Sequence, residues 1–476
     1  MKHMLLLITA VPFAACATPA ISNVSLSRNE ATGLVTISYD LSEDAIVTAQ
    51  VVTNGVALPH ADCGNMAGKV HRTVAQGTGC QIWWRRPVGL PDNATVKLSA
   101  WAKDDPPDYL AIDLLATNCW RFYETAEDVP LGVTNRLYKS AKMLMRKIYA
   151  KDITWPMGIS SDRMDGSQTY GTNILHRPHY VTLTYNYYIG IYEMTYSQYR
   201  NASSYSSYNK TYTNNTEVGY ITIGGIDRDV IPREQEQSMF WPAPWLAPSD
   251  MRGYKPSYYW PVHGHRVPAS SGIGLFRQRT GLDLDLPTEA EWEYACRAGE
   301  SKILYTGKSF TAANVAELAW SSSNWNQDPA CSSNQLHEVG LLKPNAWGLY
   351  DMLGNGFEVC LDVMSDKETD PYQIDPYKGE DVENPGGPTA EQGALAQTEG
   401  GTYIDTAGKT QYTWPNYVTQ SGRRARRGGS VFDSTSTKYH AAMTFTYSRS
   451  DMRKNISYTV QYPATAYRFV LPAVIP

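Results

Sequence analysis

No apolar run long enough to cross a bilayer, about 18 residues, follows the first residues of the chain. A transmembrane helix is therefore not expected in the mature protein. Charge is also scarce. Asp, Glu, Lys and Arg make up 19% of 476 residues, and the formal net charge is -5. That balance excludes a long-range pull toward nucleic acid or an anionic membrane. Cysteine is sparse, at seven. Cys296, Cys331 and Cys360 are too irregularly spaced for a zinc site. The nine histidines supply two close pairs, His176 with His179 and His263 with His265. Neither pair has a third ligand at helical spacing. Tyrosine (33) and tryptophan (13) are abundant instead, and they combine apolar surface with a hydrogen-bonding tip.

The start of the chain reads as a signal peptide over residues 1–17. Lys2 and His3 precede the short apolar stretch Leu5 to Phe13, and Ala15-Cys16-Ala17 is a small-residue cleavage site. A buried N-terminal strand is the structural alternative. Ala14-Ala15-Cys16 also resembles a lipoprotein cleavage box, which would acylate Cys16 and tether the protein to a membrane surface. Phe13 stands where such boxes carry leucine. The expected location is extracytoplasmic: secreted, periplasmic or lipid-anchored at the cell surface. Export permits disulfides. Cys63 and Cys80 form the best pair, closing a loop worth about 3 kcal/mol, with two free buried thiols as the alternative.

Residues 20–115 alternate apolar and polar side chains in short runs. Leu34 to Tyr39, Ala45 to Val52 with its Asn54-Gly55 turn, and Ala94 to Trp101 read as strands. Their spacing predicts a small all-β sandwich of immunoglobulin or fibronectin type III character. Residues 116–145 read as a connector, and Lys139 to Ile148 suits either a helix or a strand. From residue 146 to 472 the chain predicts a larger α+β domain. Val181 to Tyr199 opens as a strand and turns helical near Glu193. Residues 200–216 and 365–415 are polar and read as surface loops.

The clearest local structure is Leu286 to Gly299. Thr288 and Glu291 form a capping box, early acids suit the helix N-terminus, and Trp292, Ala295 and Cys296 share one face. Nothing in this pattern makes Glu289, Glu291 and Glu293 a catalytic pair. In Lys343 to Cys360, two glycine turns flank a short apolar segment, and Asn355 and Glu358 could wrap a hard cation such as calcium. Arg423, Arg424, Arg426 and Arg427 read as a strand edge paired with acids. A terminal strand follows at Ala466 to Leu471.

Seven segments then occur in one order: Met157-Gly158, Ile191 to Thr195, Leu286 to Gly299, Ala313 to Trp320, Lys343 to Cys360, Arg427 to Ser430, and Tyr467-Arg468-Phe469. Each is weak alone. Together, over residues 146–472, they resemble the formylglycine-generating enzyme, or sulfatase-modifying factor, family. The resemblance implies an elaborated C-type-lectin-like fold. It also implies structural calcium, one ion near Asn355, Gly356 and Glu358 and another near Asn314 and Val315.

Members that make formylglycine hold copper(I) with two cysteines just after the Gly-Gly-Ser segment and oxidise a substrate cysteine. Soft thiolates select copper(I). Here the first cysteine position falls on Asp433 and the second on Lys438, and no cysteine follows Cys360. A carboxylate is a hard ligand and an ammonium is none, so copper is not expected. Iron-dependent members need a histidine cluster that the scattered histidines do not supply. The expected role is therefore binding or scaffolding, with a peptide, protein or glycan as partner. Ser430, Asp433 and Lys438 would rim the cleft, with Tyr439 and Tyr447 as contact residues. The alternative is an oxidoreductase of the family that converts a substrate cysteine to formylglycine, or a related protein-modifying oxidation.

Overall fold

A computed structural model describes residues 18–158, 179–203, 240–243, 246, 248–252, 267–309, 311–328, 335–363, 424–432 and 465–475, and the backbone of short strands between 210 and 451. Period-two alternation builds its first part. The strands Ile21–Arg28, Leu34–Leu41, Gly77–Arg85 and Met66–Gly68 are neighbours, in that order, in one antiparallel sheet. Ala45–Thr53 centres a second sheet and pairs with Val56–Ala57, Arg72–Val74 and Thr95–Trp101. Val35, Ile37, Tyr39, Cys80, Ile82 and Trp84 from the first sheet share one core with Ala45, Val47, Val51 and Val96 from the second. Burying each large apolar side chain there contributes about 1.5–3 kcal/mol. Asn54 and Gly55 both take positive φ between two paired strands, as a two-residue hairpin of this hand requires.

The expected Cys63–Cys80 disulfide is not formed; both thiols are free and buried. Cys63 closes the helical turn His60–Cys63, and its carbonyl accepts the Trp84 indole N–H at 2.8 Å. Trp84 is four residues beyond Cys80 on one strand, about 13 Å along it. That holds Cys63 toward the wrong end of the strand for a bridge. Cys80 Sγ lies 3.3 Å from Lys69 Nζ instead.

The larger domain is organised by a five-stranded sheet. Its order is Trp120–Tyr123, Tyr109–Asp113, Lys142–Ile148, Tyr187–Gly190, Val470–Pro472. The structure thus redraws two expectations. Tyr109–Asp113, placed by composition with the small domain, pairs with Lys142–Ile148. The 116–145 segment is no free connector, because Trp120–Tyr123 is an edge strand of the same sheet. Lys142–Ile148 resolves as a strand, and its alternation explains why. Leu144 and Ile148 face one core while Met143 and Met145 face another. Tyr187 and Ile189 follow Leu144, and Tyr188 follows Met143. A strand buried on both faces shows no polar alternation in sequence, which is why periodicity alone left it open.

Helices cover both faces. Tyr196–Ala202 and Gly272–Thr280 lie over the core containing Met143, contributing Tyr199 and Phe276. Glu289–Arg297 lies over the other and contributes Ala290, Trp292, Ala295 and Cys296. Both capping boxes, Thr195 with Gln198 and Thr288 with Glu291, are complete. Ala298 takes the left-handed cap itself, with φ 49°, and Gly299 follows it. The polar stretch after Ala202 is not all loop: Lys210–Thr213 pairs with Thr216–Ile223. The arginine-rich strand Arg424–Arg427 is interior, lying between Arg449–Asp451 and Phe357–Val363. The terminal strand is split into Thr465–Ala466 and Val470–Pro472, with Arg468 buried between them.

Candidate functional site

The Gly-Gly-Ser loop leaves the end of the Arg424–Arg427 strand, whose Arg427 pairs with Glu358 of the neighbouring strand. Arg427 is buried. Its Nε donates to Glu289 Oε1 and its Nη1 to Glu293 Oε2, each at 2.8 Å, and its guanidinium lies over Trp292. Glu293 also accepts from Arg297 Nε at 2.8 Å and from the Gly158 N–H at 2.9 Å. Burial alone would raise its pKa, but Arg297 and Arg427 hold it below the usual carboxylate range. Glu291 caps its own helix and accepts from Tyr185 Oη at 3.1 Å. Glu289 and Glu293 are thus a mount for the loop's root, while Glu291 caps the helix that carries them.

Gly428 and Gly429 carry the chain onward with φ of 91° and 76°. The loop is then fastened to the turn beneath it. The Gly354 N–H donates to the Gly428 carbonyl, and the Val431 N–H to the Asn355 carbonyl, both at 2.8 Å. Gly354 also lies tight against its neighbouring strand: a Cβ there would fall 2.3 Å from the Trp320 carbonyl oxygen. Ser430 is fully buried, and Phe432 beyond it is 39% exposed.

Below the loop runs a buried polar chain. Asn355 Nδ2 donates to Glu193 Oε2 at 2.7 Å, and Asn355 Oδ1 accepts the His337 N–H at 2.9 Å. His337 Nδ1 lies 3.0 Å from Asp328 Oδ2. The imidazole stacks on Trp320 at 3.9 Å with a 9° interplanar angle. Glu193 Oε1 accepts the Gly356 N–H at 3.1 Å. Burial, with Asp351 and Glu358 nearby, drives the Glu193 pKa well above the ordinary value. Burial lowers the His337 pKa against the opposing pull of Asp328, so the imidazole is neutral at neutral pH. Trp241, Trp320, Leu336 and Val431 form an apolar wall, flanked by half-buried Trp325 and Leu342.

The sequence-based site residues fare unevenly. Ser430, Asn355 and Gly356 come together through these bonds. Asp433, Lys438, Tyr439 and Tyr447 lie outside the described residues, as do Cys16 and the signal segment. The calcium set at Asn355, Gly356 and Glu358 does not fit a cation. Arg468 takes Glu358 Oε1 at 2.6 Å and Oε2 at 2.9 Å, and the Trp292 indole N–H adds 2.8 Å to Oε2. A guanidinium stands where calcium was expected. Asn314 and Val315 sit on the short helix Ala312–Ala316. Asn314 Nδ2 donates to the Ser309 carbonyl at 2.8 Å, and the Val315 carbonyl accepts from Leu318 at 2.9 Å. Their oxygens make at most three of the roughly six to eight that calcium takes. The nearby Glu317 is held by Lys308 and Lys343. Among the described residues no cluster of three His, Cys, Asp or Glu side chains gathers in metal-holding geometry.

Sequence reasoning missed His337, Asp328 and Trp320. His337 was one of several scattered histidines, and only the fold brings it beside Asn355. Glu193 did carry a signal: a lone acid in an apolar tyrosine-rich run, which burial makes costly unless it is bonded.

A family model described as the sulfatase-modifying factor enzyme 1-like domain matches residues 163–443, more than half of the chain. The chain belongs to the sulfatase-modifying factor family. Among curated members, formylglycine-generating enzyme of Mus musculus is 33% identical over 125 residues, 25% of this chain and 30% of that protein. Chaperone protein LppX of Paenibacillus barcinonensis is 36% identical over 96 residues, 18% of this chain and 33% of that protein. The chain thus spans about a third of the length of the curated relatives it matches. Two solved structures align over more of it. Treponema denticola variable protein 1 covers 70% of this chain and 95% of its own, with a TM-score of 0.39 and 19% identity. PvdO from Pseudomonas aeruginosa covers 69% of this chain and 94% of its own, with a TM-score of 0.41 and 16% identity. Cys296 and Cys360 are both sealed in the core.

Proposed function

We propose that this chain is a non-oxidising member of the family, which binds a peptide, protein or glycan at the loop beyond Gly429. The observation that carries the reading is the placement of sulfur. No cysteine follows Cys360 in the sequence. Cys296 and Cys360 are fully buried, and burial drives both thiols well above their ordinary pKa. Copper(I) needs accessible thiolates. In this reading Asp433 and Lys438 rim the cleft, Tyr439 and Tyr447 supply adaptable contact surface, and Ser430, fully buried and accepting the Phe432 N–H, anchors the loop and is not part of the rim. The rigid fastening of Gly428 and Val431 to the turn below favours presentation of the residues that follow them.

The rest of the molecule serves display. The two N-terminal sheets form an immunoglobulin-like sandwich acting as a spacer, and the larger body is C-type-lectin-like. The protein is exported, with or without an acyl chain on Cys16. Among the described residues no helix is long and apolar enough to cross a membrane. Chaperone-like binding of another protein, as the name of the Paenibacillus relative has it, is one form of this role. Calcium enters only at Asn314 and Val315, a half-buried and a fully buried residue that would need further oxygen ligands.

Family membership favours a second reading, the oxidation of a substrate cysteine to formylglycine. Oxygen consumption separates the two. Purified protein with a cysteine-containing peptide and added copper or iron is expected to take up no oxygen above the metal-only control. Stoichiometric uptake with conversion of the cysteine would overturn the binding reading.

A further inference from the structure

Between the small domain and the central sheet lies a pocket of about 80 Å³. The two parts meet there in fixed register. The Phe122 N–H donates to the His71 carbonyl and the His60 N–H to the Glu127 carbonyl, both at 2.9 Å. The pocket is lined by Gln50, His60, Met66, His71, Tyr123 and Asp128, with Val51 and Leu58 adding apolar wall.

Asp128 is its distinguishing group. The residue is 6% exposed, and it forms no ion pair among the described residues. All three of its bonds go to one oxygen: Oδ2 accepts from Gln50 Nε2 at 2.7 Å, from the Thr125 N–H at 2.9 Å and from Thr125 Oγ1 at 3.0 Å. Oδ1 has no protein partner among the described residues. Oδ1 is not one of the fully buried side-chain atoms that lack a partner, so it opens to the pocket, where a donor or cation can reach it. The surrounding side chains suit a cation. His71 Nδ1 lies 2.9 Å from the Phe122 carbonyl oxygen, which can only accept, so Nδ1 carries the proton and Nε2 is left as an acceptor. Burial lowers the pKa of His71 to about 4 and lowers that of His60, so neither ring competes with a bound cation at neutral pH. Tyr123, tilted at 32° against His71 with ring centroids 4.9 Å apart, adds an aromatic ring of the kind cations favour. Lys97 does not fill the role. Its Nζ reaches Gln50 Oε1 at 3.4 Å and Glu124 at 3.5 Å. Arg121 lines the pocket too, but its Nη1 donates to the Trp120 carbonyl at 2.8 Å. No three-ligand cluster gathers among the described residues, and the volume matches a few heavy atoms.

We propose that this junction pocket binds a small organic ammonium group, held by Asp128 Oδ1 with its alkyl part against Met66 and the Tyr123 ring. The site is separate from the Gly-Gly-Ser loop and does not depend on that loop's function. Titration calorimetry on the full chain tests it, with n-propylammonium as probe and propionate and 1-propanol as controls. Saturable binding is expected for the ammonium alone. Asp128→Asn keeps an acceptor for Gln50 and Thr125 but turns an amide into the pocket, and should weaken binding at least about tenfold. Met66→Phe, on a strand beside the pocket, should do the same by filling it, and decides the matter if Asp128→Asn fails to fold. Equal binding of propionate, no saturable binding by the wild-type protein, or undiminished binding by folded variants would each overturn the proposal.

Discussion

Replacing Arg468 by methionine should be among the most damaging single changes in this protein. Arg468 is fully buried. Its Nε and Nη2 make a two-pronged contact with Glu358, at 2.9 Å and 2.6 Å in the shortest pairs. Nη1 donates to the Gly190 carbonyl at 2.9 Å and Nη2 to the Tyr350 carbonyl at 2.8 Å. Glu193 and Asp351 feel the same positive charge. Methionine would fill much of the volume but would strand the Glu358 carboxylate and both carbonyls. Breaking a buried pair from one side costs about 3–5 kcal/mol, and the orphaned carbonyls add to that. The melting temperature should fall by about 10 °C. Thermal and urea unfolding followed by tryptophan fluorescence would measure it, since Trp292 donates to the same carboxylate. Glu358→Gln with Arg468→Met should cost less than the sum of the two single changes, because the stranded charge is gone while an acceptor for Trp292 remains. A loss under about 1 kcal/mol for Arg468→Met would refute the reasoning, as would strict additivity in the double variant.

Gly354→Ala should destabilise by more than about 1 kcal/mol, because φ is 75° and the new Cβ would meet the Trp320 backbone. Urea unfolding checks it. Thr288→Ala removes a complete capping box and should cost about 1 kcal/mol, measured in the same way. Asp351 has its pKa raised to about 6, chiefly by burial, whereas the unfolded chain ionises near 4. Its contribution to stability is therefore fully present below about pH 4 and is lost as pH rises through about 6. Stability of Asp351→Asn relative to wild type should accordingly rise from pH 4 to 6. A flat difference across that window would count against the assignment.

Much of the helical framework was legible because its signals are local. Thr288 with Glu291, and Trp292 with Ala295 and Cys296, need only a few residues of sequence to be read. The Asn54-Gly55 hairpin was equally plain. The central sheet was harder. Tyr109–Asp113 and Lys142–Ile148 are buried on both faces, so their pattern lacked the polar alternation that marks a strand at a surface. The Cys63–Cys80 bridge does not form because closeness in sequence does not set place in the fold: Cys63 is held by Trp84, four residues along the strand from Cys80. At Glu358 the residues do not fit the expected calcium for a related reason. Arg468 lies 110 residues away, and no local pattern announces that it takes the carboxylate. The loop root at Arg427 was visible as a motif, whereas the His337–Asp328 pair beneath it depends wholly on tertiary placement.

The central claim is that the loop beyond Gly429 has no soft-metal chemistry. Titration of the reduced protein with cuprous ion against a chromogenic copper(I) chelator tests it most directly. No stoichiometric withdrawal of copper from the chelator is expected, and Cys360→Ala should leave the titration unchanged. One equivalent bound tightly enough to strip the chelator, and lost when Cys360 or another thiol is replaced, would contradict it.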